Sequence, residues 1–255
     1  ARFVMMNTDS LVDKPLASFE TGTAERWINS RLQHIAQDVA TSMEAYRLDQ
    51  VAQTLHAFAW DEYCSWYLEI AKIELADDSL SETRKDGVRQ TLVNVLGATL
   101  RMLHPIMPFI TEALWQQLRS RALTNSDSII NQPYPQFELN QLDDKAVADM
   151  EWVQAIVSGV RNIRGEMNID PRKELPVMFQ GGNDLDRRRA RDFHTLLAAL
   201  GRLQSLAFVT DDEDTPQSAM ALSGEMKILV PLGSVIDRAA ELKRLEREVE
   251  KLTED

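Results

Sequence analysis

Apolar residues recur at steps of three and four through most of this chain, and that period predicts helices. Ile28, Leu32, Ile35, Val39, Met43 and Tyr46 mark one buried face of a helix over about 22–46, with Gly22 between Thr21 and Thr23 at its start. A second helix is expected over about 49–75, with Asp49 near its N-cap. Its stripe of Val51, Leu55, Phe58, Trp66, Ile70 and Ile73 is joined by a second of Trp60, Tyr63 and Tyr67, so two of its sides should be buried. Ser79 followed by Glu82 has capping-box spacing and opens a third helix, in which Val88, Leu92, Val95, Thr99 and Met102 share a face. Leu103-His104-Pro105-Ile106-Met107-Pro108 then forms a stiff corner. Proline lacks a backbone donor and fixes its own φ, so Pro105 closes the third helix and Pro108 sits in the first turn of a fourth, which runs to about Arg121.

Beyond the corner the pattern changes. Residues 122–140 carry turn chemistry, including Pro133-Tyr134-Pro135, and form the best candidate boundary. A long helix follows over about 143–167. Residues 175–180 are extended in character and end at Gly181-Gly182, 185–201 look helical, and 205–209, 219–222 and 227–230 read as short strands. The acidic run 211–214 lies in a loop between them and should point into solvent. From about Val235, Leu242, Leu245, Val249 and Leu252 make an a/d seam among mixed charges, the opening of a coiled coil. The organisation expected is mainly α: a helical bundle over 1–140, a helix plus a small α+β junction unit over 141–234, and the start of a coiled-coil arm over 235–255.

Composition narrows the chemistry. A chain of 255 residues buries a sizeable core without staples. Cys64 stands alone, which permits no intramolecular disulfide, offers no metal-type spacing and suits a reducing cytosol. No apolar run approaches the ~20 residues that span a bilayer, and no signal peptide is visible. The sequence opens on Ala1 in helix-compatible residues, which reads as a piece of a longer protein. The net charge of −12 argues against sequence-blind coating of DNA or RNA. It leaves room for recognition of unpaired bases, which relies on stacking and edge hydrogen bonds at a small site. Nucleophile–base pairs, metal clusters and phosphate loops are absent by motif.

Several stretches carry a family resemblance. The proline corner, continued as Phe109-Ile110-Thr111-Glu112-Ala113-Leu114-Trp115, resembles a hallmark of the helical anticodon-binding domain of class I aminoacyl-tRNA synthetases. Trp60-Asp61-Glu62-Tyr63-Cys64-Ser65-Trp66-Tyr67 is similar to the second bundle helix of the valine, isoleucine and leucine enzymes. Ile163-Arg164-Gly165-Glu166-Met167-Asn168-Ile169-Asp170-Pro171 resembles a segment of the valine enzymes. Val230-Pro231-Leu232-Gly233-Ser234, leading into the a/d seam, looks like the approach to their coiled-coil arm, and residues 1–7 resemble the end of their first bundle helix. Together these resemble the C-terminal, anticodon-binding portion of the bacterial valyl-tRNA synthetase family. The resemblance implies a cytoplasmic, monomeric parent ligase that binds tRNA(Val), reads an anticodon ending in A-C, and uses ATP at a catalytic domain upstream. It implies no cofactor in this portion, no membrane and no DNA. The family's HIGH-type and KMSKS-type ATP signatures are missing here, and none of His34, His56, His104 and His194 lies in an HxGH context.

Within that frame, Trp27 is the candidate ring for stacking a base, Arg26 and Arg31 for phosphates or base edges, and Asn29 for reading an edge. Arg2 and Asn7, near the junction of the first bundle elements, are further candidates. Trp66 and Tyr67 are expected to pack, and His104, beside Trp115 and the corner, to satisfy local backbone groups. Arg187-Arg188-Arg189-Ala190-Arg191 is read as a solvated helix face paired with Asp184, Asp186 and Asp192. Arg161, Arg164, Arg172 and Lys173 are read as packing or orienting residues. The alternative from another class is a helical protein-interaction scaffold, suited by the acidic surface and the terminal seam.

Overall fold

The computed structural model describes residues 1–11, 19–120, 127–210 and 215–234. The coiled-coil seam and the acidic run 211–214 lie outside the described residues. The chain divides into two compact units, residues 1–150 and 151–255.

The first unit is built from helices. A short α1 (Arg2–Asn7) is followed by α2 (Thr23–Glu44), α3 (Leu48–Ala57), a π-helical segment (Phe58–Tyr67), α4 (Leu68–Ala76), α5 (Glu82–Leu103) and α6 (Pro108–Leu118). Cross-bonds show how they run. Arg31 on α2 meets Glu62, and Glu25 meets Tyr67, so α2 and the next helical run form an antiparallel hairpin. Tyr63 donates to the Leu92 carbonyl (2.8 Å) and Tyr67 faces Val88, so α5 runs back beside the same helix. The α2–α3 corner and the proline corner therefore lie at the same end of the bundle. Between the helices Val39, Val51, Leu55, Phe58, Tyr67, Ile70, Val88 and Leu92 are sealed from solvent.

Three local details depart from the periodic reading. The second helical run is wound as a π-helix in its middle, where Ser65 Oγ donates to the Trp60 carbonyl five residues back (2.8 Å). The wider turn keeps Tyr63 and Tyr67 on the core face, their rings 6.0 Å apart, but turns Trp60 outward, so the expected second stripe loses one member. The cap of α5 is Ser81, not Ser79: its Oγ accepts from Arg84 N–H, while Ser79 is engaged with Asp77. Asp49 does not cap α3; Arg47 holds that position, and Asp49 pairs with it from the first turn. That pairing holds the Asp49 carboxyl down at about 2.

The proline corner forms as expected, with α5 ending at Leu103 and Pro108 opening α6. The segment after α6 is laced back onto the bundle. Arg101 donates to the Pro133 carbonyl, Tyr134 to the Met102 carbonyl, and Gln33 bridges the Glu138 backbone and Gln141. Near the bundle's other end, Gly87 lets backbone approach backbone: an added Cβ would stand 1.9 Å from the Glu20 carbonyl oxygen. Gly87→Ala should therefore cost about 1–3 kcal/mol of unfolding free energy, read as a lower urea midpoint.

A long helix, α7 (Asp144–Glu166), runs from the first unit into the second. The second unit adds β1 (Leu175–Gln180), α8 (Asp184–Asp192), α9 (His194–Gly201), β2 (Leu203–Val209), β3 (Ser218–Ser223) and β4 (Met226–Pro231). The expected single stretch 185–201 is two helices, broken at Phe193, and the three expected strands are each slightly longer than their apolar cores. One sheet forms in the order β2-β1-β4-β3, with β1 and β2 parallel and the other pairs antiparallel. Pro176 lies in an inner strand, and the register shifts beside it, which accommodates its missing N–H. Leu175, Val177 and Phe179 alternate into the core, where Phe179 meets Trp152 and Phe208 edge to face. Arg187 lies over the Phe208 ring and Arg188 pairs with Asp192, so part of the basic run on α8 is engaged within its own unit.

Candidate RNA-recognition surface

The sequence-nominated cluster sits at the start of α2, and the structure employs most of it internally. Trp27 is only 2 % exposed and among the largest fully buried side chains, so its ring offers no face to a base. Trp27→Ala should cost about 3–5 kcal/mol in urea unfolding, the cost of an aromatic removed from a packed core. Arg26 is held by Asp143 (2.9 Å) and the Thr21 carbonyl. Arg31 makes a two-pronged pair with Glu62 at 2.7 and 2.8 Å. Asn29 is half-buried beside them. Elsewhere, Asn7 donates to the Phe3 carbonyl (2.8 Å) and ends α1, and Arg2 is exposed. Of the six, Arg26, Trp27, Asn29 and Arg31 share one helix start; Arg2 and Asn7 belong to α1.

Two of the open rings lie at the bundle's corners. Tyr46 and Phe109 are each 90 % exposed, and Trp60 is 65 % exposed on the π-helical segment. Leu48, Ile106, Met107 and Ile110 extend the apolar surface at the end that carries Tyr46 and Phe109. Periodicity assigned Tyr46 to the buried face of α2. The helix instead stops at Glu44, and Tyr46 adopts a left-handed conformation with φ at 56°. Its N–H donates to the Met43 carbonyl (3.0 Å) and Arg47 N–H to the Ser42 carbonyl (2.8 Å), the bonding of a Schellman cap. Glycine normally fills that position, because a Cβ there costs on the order of 1 kcal/mol. A tyrosine held there with its ring in water is a strained residue with no packing to justify it.

The second corner is rigid. Thr111 Oγ1 donates to the Met107 carbonyl (2.8 Å) and lies 2.8 Å from His104 Nδ1, so the histidine is satisfied by a side chain rather than by backbone. Glu112 accepts from Ser128 Oγ and Ile129 N–H and ties the following loop to α6; bonds to Gln116 and to these groups keep its carboxyl below the usual range. Phe109 and Ile110 are thus presented from a fixed frame. The surface holds aromatic and aliphatic faces for stacking, with the Arg47–Asp49 pair at its side. Among the described residues no cluster of potential metal ligands occurs, and no helix is long and apolar enough to cross a membrane.

The first unit is thus a helical hairpin bundle with a proline corner and two exposed rings at one end. Residues 25–179, more than half of the chain, match the family model for the anticodon-binding domain of tRNA ligase, and the chain belongs to that family. Over 252 residues it is 39% identical to the valine–tRNA ligase of Acinetobacter baylyi (strain ATCC 33305 / BD413 / ADP1). That alignment covers 98% of this chain and 26% of the relative, so the chain spans about a quarter of the protein it matches.

Proposed function

We propose that this chain is the anticodon-reading part of a valine–tRNA ligase, and that its bundle seats unpaired anticodon bases on the end that carries Tyr46 and Phe109. The observation that carries this reading is Tyr46: a strained, exposed ring at the same end as a second exposed ring, in a bundle that buries Trp27, Phe58, Tyr63 and Tyr67. Base–aromatic stacking supplies about 1–3 kcal/mol per base and needs no local excess of positive charge, so it suits an acidic chain. The bases read are those of tRNA(Val), and the aminoacylation that reading serves is ATP-dependent chemistry of the whole ligase, in the cytoplasm. Arg26 and Arg31 then act by holding the bundle in shape.

The test is fluorescence anisotropy at low salt with two transcripts, valine tRNA and the same tRNA changed at the middle anticodon base. Tighter binding of the unaltered transcript is expected. Equal affinity for the two would overturn base reading. A stable oligomer without tRNA affinity, seen by light scattering, would instead assign the apolar corner to a helical protein partner.

A further inference from the structure

The second unit contains a cleft that the anticodon reading does not use. It is an open space of about 540 Å³ between the end of α7, the turn after it and the α9–β2 corner. Arg161, Arg164 and Arg202 line it with Asn168, Pro171 and Leu200, and among the described residues no carboxylate lines it. In a chain of net charge −12, this cleft gathers three guanidinium groups.

Arg164 explains how the cleft is built. It is buried, and its guanidinium donates to four carbonyl oxygens, those of Asp170, Lys173, Gly201 and Arg202, at 2.7 to 3.4 Å. Those bonds tie the turn after α7 to the α9–β2 corner. Carbonyl dipoles satisfy its N–H groups but leave its net charge in place. Arg202 adds a second positive charge close by: burial and then the Arg202 charge both lower the Arg164 pKa. Two like charges close together repel, and an anion seated between them removes that cost. The rim is also strained. Among the described residues, non-glycine left-handed conformations occur at Tyr46, Asn168 and Arg202, and the last two both line this cleft. Arg202 occupies the left-handed cap of α9, where glycine would be at ease, and its side chain stays exposed.

We infer that this cleft is a phosphate site, in which Arg202, backed by the fixed charge of Arg164 and flanked by Arg161, holds a backbone phosphodiester of the bound RNA. Guanidinium forks match phosphate oxygens in pairs, and a contact to backbone adds affinity without reading sequence. The source of the phosphate rests on the proposed RNA-binding function; the site itself does not.

The full chain tests this with Arg202→Gly, which suits the left-handed backbone while removing the charge, Arg202→Lys, which restores a charge, and Arg188→Ala as a control on α8. Each is titrated with valine tRNA and with its middle-base variant at several salt concentrations. Arg202→Gly should weaken both complexes alike, on the order of tenfold at moderate salt, and lower the salt slope by about 0.7–0.9 for one lost phosphate contact. Arg202→Lys should recover part of the slope, and Arg188→Ala should match the parent. An unchanged slope in Arg202→Gly would overturn the site and leave anticodon reading standing. A slope that depends on Arg202 in a chain blind to the anticodon base would sustain the site and overturn anticodon reading. Collapse of discrimination in Arg202→Gly would make Arg202 a base reader and overturn the phosphate role. Inorganic phosphate supplies the last arm. If it raises the melting temperature of the parent but not of Arg202→Gly, while RNA binding is the same in both, the cleft serves free phosphate and the RNA assignment is overturned.

Discussion

Tyr46→Gly is expected to make the fold more stable and the RNA complex weaker. The two effects come from different parts of one residue. Its backbone sits at φ 56°, where glycine avoids a Cβ clash of roughly 1–2 kcal/mol, so the urea midpoint should rise by the equivalent of about 1 kcal/mol. Its ring is 90 % exposed and supports no core, so its removal leaves no cavity. If the ring stacks a base, the complex loses about 1–3 kcal/mol, roughly five- to 150-fold in Kd. Phe109→Ala completes the test from the other corner. It removes an equally exposed ring at the start of α6, where alanine is a good helix former, so stability should hold while affinity falls by a similar factor. Opposite movements of stability and affinity at Tyr46 separate a binding role from a structural one. A gain in stability with unchanged anisotropy titrations would remove Tyr46 from the site.

That residue also shows where the hydrophobic pattern stops being informative. Met43 to Tyr46 is a step of three, and the pattern carries the helix straight through it. The actual stop is set by backbone bonds from Tyr46 and Arg47 to Met43 and Ser42, a cap usually signalled by glycine and unannounced here. The long helices α2, α5 and α7 were legible because each keeps its period for many turns. The proline corner was legible because a missing N–H has one consequence. The π-helical segment was not, since one extra residue in a turn leaves the composition unchanged and alters only which side chains face inward. The order of the four strands depends on pairing between distant segments, and no local pattern encodes it. At the start of α2, Trp27 looked like a surface ring because Glu25, Arg26, Asn29, Ser30 and Arg31 surround it. Two of those polar neighbours, Glu25 and Ser30, are themselves buried, each bonded to another part of the first unit. A polar neighbourhood in sequence marks a surface only when its polar groups meet water.

Glu25 is the centre of the second large effect, a drop in stability on removal of Arg84. Glu25 is 0 % exposed. Its carboxylate accepts from Arg84 (2.6 Å), from Gly22 N–H (2.8 Å) and from Tyr67 OH (3.2 Å). The same Arg84 nitrogen reaches Glu74 at 2.8 and 2.9 Å, so one cation serves two carboxylates. Gly22 is required for this arrangement: a Cβ there would lie 2.2 Å from that nitrogen. Burial, and then the charge of Glu25, push the Glu74 pKa up to about 8, so Glu74 holds a proton at neutral pH. The sign of the pH effect follows. Between the ordinary glutamate range and about pH 8 the folded chain binds a proton that the unfolded chain releases, so stability falls as pH rises through that window. Glu74→Gln, which cannot ionise, should flatten that fall. Arg84→Met leaves Glu25 buried without its cation and should cost about 3–5 kcal/mol. Adding Glu25→Gln to Arg84→Met should recover part of the loss, since the charge that lacked a partner is gone. Urea midpoints from pH 5 to 9 for the parent and these variants measure all three expectations. A parent whose stability is level across that range would show that Glu74 does not take up a proton on folding in this way.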